Sequence, residues 1–142
     1  MPFEYVEDVT SDVTFHAWGG SLDELFAAAV DATTGVMVED LASLRPTMRR
    51  DVEVEADALD LLLLRLLEEV VFLKDTEALL LRVEQMAVVA DAQPLRARAV
   101  LRGERIDRQR HALMADVKAV TLHGLRVERV DALWHARVTL DV

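Results

Sequence analysis

The stretch from Asp57 to Glu77, DALDLLLLRLLEEVVFLKDTE, limits the possible folds more than any other part of the chain. Leu59, Leu61 to Leu64, Leu66, Leu67 and the run Val70 to Leu73 leave only a narrow polar side at Arg65, Glu68 and Glu69. Most of such a helix needs burial. Four consecutive leucines cannot all face one way, so the rest of the chain must supply apolar surface on at least two sides, a sheet and a second helix. Asp60, Arg65, Glu68 and Glu69 interrupt the roughly 18 to 20 uncharged residues that a bilayer-spanning helix needs. Asp57 is expected to cap the start, where backbone N–H groups lack partners, and Asp60 adds favourable charge in the first turn.

The other segments supply that surface. Phe3, Tyr5 and Val6 read as a short strand, and Val13, Phe15 and Ala17 alternate with Asp12, Thr14, His16 and Trp18 in the period of a second. Ser21-Leu22-Asp23-Glu24 has the form of a capping box, and Leu22, Leu25, Phe26, Ala29 and Val30 make one apolar stripe on a helix that ends near Gly35. Residues 37–50 show no period and read as a loop. The alternation Asp51-Val52-Glu53-Val54-Glu55 is a strand with one wet face. Leu79 to Ala90 and Leu95 to Arg102 form a hairpin, with Leu95, Ala97, Ala99 and Leu101 inward. Gly103 to Asp116 is polar and is expected to be the longest loop. Val117 to Val130 is a strand whose apolar phase slips at Gly124, as a bulge would produce, and Trp134 to Leu140 alternates to the end. This order predicts one α+β domain over residues 1–142: two layers, with two helices packed on one face of a mainly antiparallel sheet.

Composition narrows the function. The chain has 142 residues and a net charge of −10, which argues against direct nucleic-acid binding, because phosphate contact requires Lys and Arg to displace counterions. There is no cysteine, which excludes disulfides, thiolate metal sites and a Cys nucleophile. The N-terminus lacks a basic stretch followed by an apolar one, so a cytoplasmic protein is expected. Phosphate-binding glycine loops, nucleophile elbows and zinc-helix motifs are missing from the sequence. His16, His111, His123 and His135 lack the spacing of transition-metal ligands. Asp12 and Asp141 each sit at a strand end on the polar phase, and Asp141 precedes the α-carboxylate of Val142. If those strands pair, hard oxygen ligands for Ca²⁺ or Mg²⁺ converge; if they do not, both are solvated carboxylates.

Several short motifs follow one another along the chain: Phe3-Glu4-Tyr5-Val6-Glu7, Thr10-Ser11-Asp12-Val13, Ala17-Trp18-Gly19 and Ser21 to Phe26. Asp57 to Leu62 with Glu68 and Glu69, Gly103-Glu104 with Asp107 and His111, Asp116 to His123, and Leu140-Asp141-Val142 follow. In these the chain resembles the archease family. The resemblance implies a non-enzymatic accessory protein of an RtcB-type RNA ligase, promoting guanylylation of the ligase and its turnover in tRNA splicing and RNA repair. It places a divalent metal at Asp12, Asp141 and Val142, with calcium expected and magnesium or manganese as alternatives, and a partner-activating role at Lys118. An acidic protein of this kind approaches a basic, RNA-binding partner rather than RNA or a membrane. Two departures from the family pattern stand out: Val9-Thr10-Ser11-Asp12 replaces His-Thr-Ala-Asp, with an extra residue around Asp8, and Leu122 replaces a tyrosine. A metal-dependent hydrolase using Asp12 and Asp141, and a general chaperone or assembly module, are the competing readings.

Overall fold

Phe15 and Ala17 are fully buried whereas Thr14, His16 and Trp18 are half-buried, the alternation of a strand that is wet on one face. The computed structural model describes residues 2–9 and 11–142, with the side chains of residues 7–9 excepted. Thr10 and the Glu7 side chain, which carry part of the resemblance, lie outside the described residues.

Strand β1 (Phe3–Val9) forms a hairpin with β2 (Asp12–Gly19), and β6 (Ala119–Val130) forms one with β7 (Leu133–Asp141). Antiparallel pairing of β2 with β7 joins the hairpins into a four-stranded sheet of order β1-β2-β7-β6. Between Val6 and Val9, β1 carries one residue more than β2 does between Thr14 and Asp12, so the extra residue near Asp8 is taken up in a bulge. The slip expected at Gly124 is also present: register breaks between Thr121 and Arg126, and Gly124 has a φ of +65°, which glycine adopts without steric cost.

The second sheet has the order β3-β5-β4, built from β3 (Met48–Ala56), β4 (Leu79–Val89) and β5 (Leu95–Arg105). The β4–β5 hairpin and the inward set Leu95, Ala97, Ala99 and Leu101 are as expected. Two boundaries differ. β3 begins at Met48, and β5 continues through Gly103 to Arg105, so the following loop is shorter than its polarity suggested. Gly103 is not a breaker. It pairs with both Leu81 and Met48, and a Cβ there would lie 1.9 Å from the Leu80 carbonyl oxygen, so its missing side chain is what lets the strands close.

Helix α1 (Leu22–Met37) starts as a capping arrangement, with Glu24 N–H donating to Ser21 Oγ and Gly20 N–H donating to Glu24 Oε2. It runs past Gly35. The Tyr5 hydroxyl donates to the Ala32 carbonyl over 2.7 Å, and a Cβ at Gly35 would meet that hydroxyl at 2.6 Å, so Gly35 makes room for Tyr5 rather than ending the helix. Helix α2 (Leu59–Glu77) has Ala58 at its cap position with no side-chain cap. Asp57 stands one residue too early to serve, and Asp60 Oδ1 instead accepts the Leu61 N–H. On α2, Leu62, Leu63, Leu66, Leu67, Val70, Val71 and Leu73 are buried, but Leu61 is 38% and Phe72 56% exposed. Its apolar circumference is therefore narrower than the leucine run suggested, and α1 is the more enclosed helix.

α1 packs on β2, β7 and β4, and α2 on β3, β4, β5 and β6, so each helix touches both sheets and one continuous core results. The class is α+β with antiparallel pairing throughout, and the strands are divided between two sheets instead of forming one. Among the described residues no helix is long and apolar enough to cross a membrane.

Candidate functional site

Asp12 opens β2 and Asp141 closes β7, and the two are direct partners in the β2–β7 ladder. Residues so paired project to the same face with Cβ atoms about 4.5–5.5 Å apart, and like charges there repel unless a cation lies between them. Val142 N–H donates to the Ser11 carbonyl at 3.0 Å, which extends the pairing past Asp141. Lys118, just ahead of β6, donates its N–H to the Asp141 carbonyl at 2.8 Å. Sequence positions 12, 118, 141 and 142 thus meet at one end of the four-stranded sheet. Asp12, Asp141 and Val142 are half-buried and Lys118 is exposed. Among the described residues no three His, Cys, Asp or Glu side chains gather to hold a metal. The two aspartates offer oxygen only, without imidazole or thiolate, which suits a hard divalent cation completed by further oxygen donors.

A second charged group lies behind this one. Lys74 of α2 is 6% exposed and donates to Asp75 Oδ1, to Asp116 Oδ1 at 2.6 Å and to the Val117 carbonyl at 2.7 Å. Burial works against its charge, but the hydrogen bonds it donates to Asp116 and Asp75 outweigh that and hold its pKa above the ordinary lysine value. The sequence does carry a signal for Lys74: it falls at helical spacing from Leu67, Val70 and Val71, on the buried stripe, where a lone lysine needs partners.

The loop before β6 is pinned along its length. Met114 N–H donates to the Met37 carbonyl and Ala115 N–H to that of Val36, continuing a bridge between Val38 and Leu113. His111, expected to be a polar loop residue, is buried, and its Nδ1 accepts the Asp107 N–H at 3.0 Å while Nε2 lies 3.1 Å from Glu104 Oε1. Burial, aided by the Arg110 and Arg45 charges and opposed by Asp107, pushes its pKa below the usual histidine value, in keeping with an Nδ1 that serves as an acceptor. Glu104 also pairs with Arg110 and accepts the Arg45 N–H, so these residues fasten the loop.

Two histidines with no sequence relation also meet. His16 Nε2 and His135 Nδ1 are 2.9 Å apart, their rings 7° from parallel, and Glu4 lies 3.5 Å from His16 Nδ1. The spacing argument missed this pair because its members sit on β2 and β7, near opposite ends of the chain. His123 is exposed.

Known proteins show the same arrangement of sequence and fold. Residues 3–142 match the archease protein family (MTH1598/TM1083). A protein archease of Methanopyrus kandleri is 33% identical, with 100% of each chain covered. The solution structure of Methanobacterium thermoautotrophicum protein 1598 superposes with a TM-score of 0.85 at 33% identity, over 99% of each chain. The crystal structure of an archease, possible chaperone, from Thermotoga maritima shares the fold, with a TM-score of 0.65 at 13% identity over 98% of this chain and 99% of that one. Because the family match takes in both helices, both sheets and the paired acidic strand ends, the chain belongs to the archease family.

Proposed function

We propose that this protein is an accessory activator of an RtcB-type RNA ligase, and that it acts through the sheet end formed by Asp12, Asp141, Val142 and Lys118. The observation that carries this reading is the β2–β7 register, which makes Asp12 and Asp141 direct partners; on the β6 side of the same strand end, the Lys118 N–H is bonded to the Asp141 carbonyl. Asp12 and Asp141, with the Val142 carboxylate, would hold a divalent cation, calcium first and magnesium or manganese as alternatives. When bound, such a cation neutralises carboxylate repulsion and presents positive charge to a partner's phosphate groups. The chain's own contribution is positional. Two strands hold the carboxylates in register, and Lys118, tied to the Asp141 carbonyl through its backbone N–H, is exposed at the same sheet end and would offer its ammonium to the partner as a point charge. The net charge of −10 favours approach to a basic, RNA-binding surface over RNA itself.

The test is ligase turnover with the ligase limiting and RNA and GTP in excess, with and without this protein and its Asp12→Ala and Asp141→Ala variants. Stimulation by the wild type and none by variants that remain folded is the expected result. A wild type that does not stimulate overturns the reading, and a large loss of melting temperature in the variants assigns the carboxylates to strand pairing. A chaperone-like role is the second reading. It draws on the exposed Leu122, Met114 and Phe72, at 67%, 61% and 56%, and predicts suppression of aggregation of unrelated proteins.

A further inference from the structure

The 16 basic residues of this chain include only two lysines, Lys74 and Lys118; arginine serves everywhere else. Those two lysines are far apart in sequence, one on α2 and one just ahead of β6, yet one backbone segment connects their sites. The Lys74 ammonium grips Asp116 and the Val117 carbonyl, and the next residue is Lys118, whose N–H is bonded to Asp141. We propose that Lys74 is a positioning residue: from inside the core it fixes the Asp116–Lys118 segment and so sets where Lys118 stands relative to Asp12 and Asp141.

The chemistry of the side chain agrees. An ammonium has three donors on one atom, and Lys74 has three acceptors, Asp75, Asp116 and the Val117 carbonyl. The planar fork of arginine cannot aim three N–H bonds from a single point, which accounts for lysine here in an arginine-rich chain. A role in stability alone explains the arrangement less well. Asp75 and Asp116 are 52% and 67% exposed and could be satisfied by water, and a buried ion pair is often no better than an apolar residue of the same shape. Raising Lys74 into that position gains chiefly a defined path for residues 116–118. Val117 completes it, with its side chain fully buried and its carbonyl held by the ammonium.

The functional half of this inference rests on the ligase-activator reading; the positional half does not, and the two are tested separately. Amide hydrogen exchange is followed at Lys118 in the wild type, Lys74→Met and Asp116→Ala. Asp116 is exposed, and Asp75 and the Val117 carbonyl remain to the ammonium without it, so Asp116→Ala is expected to cost less stability than Lys74→Met, and the α2 amides report whether the fold is kept. Both variants are expected to exchange the Lys118 amide at least about tenfold faster, with the central amides of α2 unchanged in Asp116→Ala. In the ligase assay they are expected to lower the maximal stimulated rate about tenfold while the half-saturating protein concentration stays within about twofold, since docking is retained and alignment lost. The chain has no cysteine, so a Lys74→Cys variant alkylated to aminoethylcysteine while unfolded, then refolded, restores an ammonium at that site alone and should recover both readouts. Wild-type protection at Lys118 in both variants overturns the proposal whatever the ligase does. Faster exchange with undiminished stimulation overturns the role of Lys118 positioning in activation. A wild type that fails to stimulate removes the activator reading and leaves exchange to decide the positional claim.

Discussion

Tyr5 is the chain's only tyrosine, and its environment makes it a reporter of the β1–α1 contact. The residue is 43% exposed, yet its hydroxyl donates to the Ala32 carbonyl of α1. Burial, and then the Asp31 carboxylate, push its pKa up to about 12. Phenolate absorbance should therefore titrate near that value in the folded protein and near 10 in urea. Because the folded value is the raised one, the stabilisation this contact supplies is complete below pH 10 and is lost as pH climbs through the folded value. Alkaline unfolding should be shallower in Tyr5→Phe, which gives up one hydrogen bond, about 1 kcal/mol, at neutral pH. A phenolate midpoint at 10 in the folded state would refute the contact. None of this can be read in the sequence, where Tyr5 is one apolar residue of an ordinary strand.

At the scale of elements, helices and hairpins were legible because their signals are local. The Ser21–Glu24 cap, the β4–β5 alternation and the Gly124 slip each depend on residues within a few positions of one another, and each has its expected counterpart. Boundaries failed where a residue's reason was tertiary. Gly35 and Gly103 look like terminators, yet both sit inside elements because another backbone or side chain comes too close for a Cβ. Gly103→Ala is accordingly expected to destabilise the fold by about 3 kcal/mol in urea denaturation, at the upper end of overpacking costs, since the Leu80 carbonyl is backbone and cannot swing away. A loss below about 1 kcal/mol would mean that the β4–β5 contact is looser than described. Phe72 shows the reverse error: hydropathy placed it inside, and helix geometry turns it out beside Glu68 and Asp75.

For the whole molecule the decisive event is the β2–β7 pairing, which unites the first and last hairpins and with them Asp12 and Asp141. It also brings two of the chain's carboxylates to the sheet end at which Lys118 is exposed. If charge guides the encounter with a basic ligase, the concentration of this protein giving half-maximal stimulation should rise about tenfold between 0.05 and 0.5 M salt. The maximal rate should change far less. A half-saturating concentration indifferent to salt would remove electrostatic steering from the account.

Taken alone, the sequence determined the class of the fold, the identity and order of nearly all its elements, and its acidic, cysteine-free character. These depend on periodicity and composition, which are properties of neighbours along the chain. Tertiary structure decided the division of strands into two sheets, the meeting of His16 with His135, and the burial of Lys74 behind Lys118. It also decided whether Asp12 and Asp141 were two solvated strand ends or partners in one ladder. Those outcomes depend on which apolar faces close against one another across the whole chain, and period alone does not record that choice.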